Sequence, residues 1–131
     1  MKNKGLAWIY VAAYAVVIFF ISSIPGSSPV LQTVEKFIWD KLLHLLEYSI
    51  LGILLVRALV LGAKVHPLKS WVFTAFVFGS LYAVVDEWHQ SFVPMRDMNI
   101  YDWMADSMGV FIGASIYGFL LFRKSKVPLN A

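Results

Sequence analysis

Cysteine is absent from the 131 residues, which excludes disulfides, thiolate metal ligands and a cysteine nucleophile. Charge is scarce as well. Only 15% of residues are charged while 60% are hydrophobic, far from the balance of a domain that folds in water. The chain also has no internal repeat, low-complexity tract or P-loop, so repeat architectures and P-loop nucleotide binding drop out.

What is present is long apolar runs. Residues 5–24, 40–61, 70–90 and 102–122 are each long enough to cross a hydrocarbon core of about 30 Å at about 1.5 Å per residue. They predict an all-α integral membrane bundle of four transmembrane helices, forming a single domain over residues 1–131. The first run, "MKNKGLAWIYVAAYAVVIFF", shares with signal peptides a basic start and the small residues Ser22 and Ser23 that follow. It is longer than the roughly 7–15 residues of a signal core and lacks an A-x-A-like site, so a retained first helix fits better. After "SSIPGSSP", the stretch "VLQTVEKFIW" places Val30, Val34 and Phe37 at helical spacing, predicting a short amphipathic helix on the outer surface. Gly62 and Pro67 mark the turn between the second and third helices, with His66 a solvated loop residue.

Basic residues set an orientation. If the N-terminus is cytoplasmic, Lys2, Lys4, Arg57, Lys64, Lys69, Arg123, Lys124 and Lys126 lie inside, against Lys36, Lys41 and Arg96 outside. Both termini are then cytoplasmic, and anchoring accounts for the net charge of +3 without a nucleic-acid partner. All eight carboxylates fall toward the outer side, a segregation that insertion rules do not require. Tryptophans at both ends, Trp8 and Trp71 against Trp39, Trp88 and Trp103, read mainly as interfacial anchors.

The carboxylates belong to stripes. At about 100° per residue, Asp40, His44, Glu47 and Tyr48 share one face of the second helix. Tyr82, Asp86, His89 and Gln90 share a face of the third, with Glu87 on its flank, and Asp102 and Asp106 line the fourth above Ala105, Gly109 and Gly113. Pointing such groups at lipid costs about 2.5–3.5 kcal/mol for a charge at mid-helix, so the stripes should converge on one another. The expected result is an aqueous pocket or hydrogen-bonded cluster open to the outer leaflet, with Arg96 of "FVPMRD" closing over it. A bundle-fixing cluster of salt bridges is the structural alternative, and Asp102 alone also suits a helix N-cap.

Intramembrane ionisable groups are functional candidates by default. His44, Glu47, Asp86, Glu87, His89 and Asp106 are the candidate catalytic residues, and Asp40, Lys41, Tyr48, Tyr82, Gln90, Arg96 and Asp102 the candidate ligand-binding ones. His44 and Glu47, spaced H-x-x-E, with His89 and Asp86 or Asp106, could ligate zinc, manganese or iron, so a divalent metal is a candidate cofactor. Without metal, either histidine could move protons while a carboxylate orients it, and Arg96 and Lys41 could hold a phosphate or carboxylate. The small-residue stripe of the fourth helix could serve packing within the chain or a homo-oligomer.

"DKLLHLLEYSILG", "DEWHQSFVPMRD" and "DWMADSMGVFIG" together resemble the VanZ-like family of small bacterial membrane proteins, over roughly residues 22–113. The resemblance implies a bacterial plasma-membrane protein with a cell-envelope role, and it associates the chain with glycopeptide (teicoplanin) resistance. It carries no settled reaction, so whether the chain is an enzyme stays open. The leading expectation is an outward-facing polar pocket that binds or modifies a membrane lipid or lipid-linked cell-wall precursor. A non-enzymatic binding or assembly module and a small proton-linked transporter are the alternatives, the last needing a polar route through the inner half where Arg57 is the only charge.

Overall fold

The structure, a computed structural model, describes residues 3–26, 34–62 and 68–126. Four helices make up the described chain: α1 (Lys4–Ser22), α2 (Val34–Gly62), α3 (Leu68–Gln90) and α4 (Ile100–Lys126). The all-α expectation holds, with corrected boundaries. Nothing between Val34 and Asp40 breaks a helix, so these residues are the first turns of α2, which runs for 29 residues, and do not form a separate amphipathic helix. Residues 27–33, including Val30, and the turn with His66 lie outside the described residues.

The helix ends follow from local chemistry. The side chain of Asn3 accepts a hydrogen bond from Gly5 N at 3.1 Å and caps α1. At the other end, Ser23 Oγ donates to Phe19 O at 2.6 Å before Pro25 forbids another turn. Asn99, rather than Asp102, caps α4: its Oδ1 accepts from Tyr101 N at 3.0 Å and its carbonyl accepts from Asp102 N and Trp103 N. Asp102 sits in the first turn, where a carboxylate complements the helix dipole.

Consecutive helices run antiparallel. Ser22 at the end of α1 meets Asp86 near the end of α3, and His44 near the start of α2 meets Asp106 near the start of α4. One end of the bundle is therefore polar, and the opposite end carries Arg57, Lys69, Arg123 and Lys124. Between them lies an apolar core of Ile18, Tyr48, Leu51, Leu55, Val56, Ala75, Ala83, Val110 and Ala114. The outside is greasy as well: Phe20, Phe73, Phe78 and Leu81 are each more than half exposed, a surface that suits lipid and not water. Among the described residues α1, α2 and α4 are long and apolar enough to cross a membrane. α3, at 23 residues, has the length but ends in Asp86, Glu87, His89 and Gln90.

α2 and α4 approach closely because the small-residue stripe faces α2. A Cβ on Gly109 would collide with the carbonyl oxygen of Leu45, and one on Gly113 with that of Ser49. The stripe thus serves packing within the chain. Two of the tryptophans do more than mark an interface: Trp103 Nε1 donates to Ser80 O at 3.3 Å across α3 and α4, and Trp71 packs against the core.

Candidate functional site

The polar end holds two seams that adjoin where Tyr48 lies beside Tyr82. The first joins α1, α3 and the following loop. Asp86, 3% exposed, accepts from Ser22 Oγ at 2.6 Å on one oxygen and from Gln90 Nε2 at 3.1 Å on the other. Gln90 Oε1 in turn accepts from Arg96 Nη1 at 3.2 Å, and Arg96 Nε donates to Ile24 O at 3.0 Å. Gly26 N donates to Pro94 O at 3.1 Å, so the loop is stitched to the end of α1. Within it Met95 has φ 57°, while Arg96 N closes on Val93 O. Pro94 followed by a left-handed residue is the pattern of a type II turn, with methionine where glycine is usual and a cost of about 1–2 kcal/mol. That turn aims the Arg96 guanidinium back at Gln90.

His89 belongs to this seam. Its Nε2 lies 2.9 Å from Ser23 Oγ, and its ring stacks on Phe19 at 4.3 Å. Tyr82 is here too, donating to Ala15 O at 2.6 Å. Arg96 reaches over this end of the bundle with two of its five donors engaged, by Ile24 O and Gln90 Oε1.

The second seam joins α2, α3 and α4. His44 Nδ1 lies 2.9 Å from Asp106 Oδ1, and His44 Nε2 lies 4.0 Å from Asp102 Oδ1. Lys41 bridges Asp40 and Asp102, so the second cation expected to hold an anion is also engaged. Glu87 Oε2 accepts from the backbone N of Asn99 at 2.7 Å, which ties α3 to the cap of α4. Tyr48 lies fully buried beside Tyr82, ring centroids 6.3 Å apart. Glu47 is half-buried, and its carbonyl, not its carboxylate, accepts from Tyr14. Asp40 is exposed.

This seam is buried but incompletely bonded. Asp106 and Glu87, 0% and 1% exposed, each keep one oxygen, Oδ2 and Oε1, that accepts no hydrogen bond from the described residues, and Glu47 Oε1 is the same. Native interiors seldom tolerate such orphans without a purpose. Of the two forms expected from the stripes, an aqueous pocket or a hydrogen-bonded cluster, the arrangement has that of a cluster. His44, Asp102, Asp106 and Glu87 are inside the bundle, because α4 approaches α2 so closely at Gly109 and Gly113. Of this cluster, Glu87 lines a cavity of about 530 Å³ beside α3 and α4, together with Val84, Met98, Asn99, Ile100 and Trp103. Trp103 also lines an apolar groove of about 770 Å³ that continues along α3 and α4 past Phe73, Met104 and Phe111.

The metal trio expected from spacing is corrected as well. His89 turns to α1, so it does not join His44 and Glu47. Among the described residues the groups with ligand atoms within 4.8 Å of one another are His44, Glu87 and Asp106, and Asp40, His44 and Asp102. Spacing reasoning missed Ser22, Ser23 and Asn99. The serines interrupt an apolar helix end and could have been read as partners for the third helix instead of as a cleavage signal.

A bundle apolar outside and polar within one end defines a helical membrane protein with a buried polar cluster. A family model described as VanZ/LLP1 matches residues 7–122, and the chain belongs to that family. Comparison with curated proteins and with solved structures gave no match.

Proposed function

We propose that this chain is a bacterial plasma-membrane protein whose four helices all cross the bilayer with the polar end outward. There, His44, Glu87 and Asp106 bind or modify the head group of a membrane lipid or lipid-linked cell-wall precursor. The observation that carries this reading is the lateral cavity of about 530 Å³, whose walls are apolar except for Asn99 and a buried, half-bonded Glu87. Acyl chains suit the apolar groove that shares Trp103 with it, and a head group in the cavity would meet Glu87. The basic residues at the opposite end support the orientation. The family resemblance supplies the consequence, altered access of glycopeptides such as teicoplanin to the envelope.

A transporter is less well supported, because the described core below the polar end is built on Leu51, Leu55, Val56, Val110 and Ala114. The test is teicoplanin susceptibility of cells expressing the wild-type chain, His44→Ala, Glu87→Gln or Asp106→Asn, with membrane abundance measured in parallel. Protection is expected to disappear in all three at normal abundance. Full protection in all three would overturn the proposal.

A further inference from the structure

We propose that His44, Glu87 and Asp106 form a site for one divalent transition-metal ion, with zinc the best match to one imidazole and two carboxylates. Three helices supply one ligand each, from α2, α3 and α4. Their ligand atoms already lie within 4.8 Å of one another, whereas tetrahedral zinc with bonds of about 2.0–2.2 Å needs donors roughly 3.3–3.6 Å apart.

Charge argues the same way. Glu87 and Asp106 are the most deeply buried carboxylates of the seam, and each keeps an oxygen that no described residue donates to. Neither meets lysine or arginine; the described ion pairs give Asp106 only His44. Two carboxyl groups buried side by side need either protons or a cation, and a divalent ion balances both while using the orphan oxygens. Binding would replace the His44–Asp106 hydrogen bond and release its proton. The alternative trio of Asp40, His44 and Asp102 has less need of an ion, since Lys41 already bridges its two carboxylates and Asp40 is exposed.

Three protein ligands leave a coordination position for an anionic oxygen, and the cavity that Glu87 lines is the side from which a phosphate would come. That last step rests on the lipid reading above; the metal site does not, and its test uses no lipid substrate or antibiotic.

The chain, purified in detergent, freed of any tag and stripped with chelator, is titrated with Zn²⁺ and desalted. Bound metal is counted by elemental analysis, and thermal unfolding is followed with and without the ion. The expected result is one zinc per chain and a raised melting temperature. Glu87→Gln and Asp106→Asn should bind about tenfold more weakly or worse, since even indirect partners of a metal are worth that much. Asp40→Asn and His89→Ala should still bind one equivalent. Should His44→Ala not fold, His44→Cys loaded with Co²⁺ gives an independent reading: a thiolate-to-cobalt charge-transfer band is expected. Absence of saturable binding, retention of tight binding in Glu87→Gln and Asp106→Asn, loss in Asp40→Asn, or a cobalt spectrum without that band would overturn the site. The first of these outcomes would mean the carboxyls are kept neutral by protons.

Discussion

Asp86 and Asp106 are both aspartates buried at the same end of the bundle, 3% and 0% exposed, yet their surroundings differ. Asp86 receives a hydrogen bond on each oxygen, from Ser22 and Gln90, and Gln90 is held in turn by Arg96. Asp106 meets His44 through one oxygen, and its other oxygen accepts no hydrogen bond from the described residues. A buried network in which every member is satisfied fixes geometry, and removing one member leaves the rest stranded. A network with orphan acceptors is poorly explained as a fastener. The seam between α1 and α3 thus reads as the fastener, and the seam among α2, α3 and α4 as the place where something else is held.

The contrast breaks most visibly at Asp86. Asp86→Ala strands the Gln90 amide and removes one bond between α1 and α3 and one within α3, worth about 0.6–2 kcal/mol each in a membrane protein. A loss of about 1–4 kcal/mol should appear as reduced abundance and a lower melting temperature in detergent. Gly113→Val comes next. Its side chain must push against the Ser49 carbonyl, and overpacking at such a contact costs about 1–3 kcal/mol. Because the same contact holds His44 against Asp106, this variant should also lose zinc uptake per folded molecule, linking α2–α4 packing to the second seam. Arg96→Met removes the donors to Gln90 and Ile24 and should cost about 1–2 kcal/mol, read by faster proteolysis at the loop around Met95. The smallest effect is expected for His89→Phe, which preserves the stack on Phe19 and loses only the Ser23 contact, about 1 kcal/mol or less by thermal unfolding.

Apolar run length and charge scarcity were enough to read four helices and to place every site candidate at one end. Helical periodicity also put His44 and Asp106 on facing stripes, and these do meet. It failed for His89, because an angle on a helical wheel does not say which neighbour the face meets. His89 and Asp86 share a stripe, but that stripe meets the end of α1, where the small hydroxyls of Ser22 and Ser23 are its partners. The start of α2 was missed because the acid-rich "VEKFIWD" looks like an ending by hydropathy while its residues favour helix. Enclosure of the site was not legible either. It depends on how near α4 comes to α2, which the glycine stripe permits without naming its partner.

The most direct measurement is thermal unfolding of two isosteric variants side by side in detergent, with metal removed. Asp86→Leu keeps a similar shape but accepts nothing, so it leaves the buried Gln90 amide without its acceptor and loses the bond from Ser22, and should lower the melting temperature by several degrees. Asp106→Asn still accepts from His44 and relieves an unbalanced carboxylate, so its melting temperature should hold or rise. Equal losses in both, or a larger loss for Asp106→Asn, would contradict the division into a fastening seam and a binding seam.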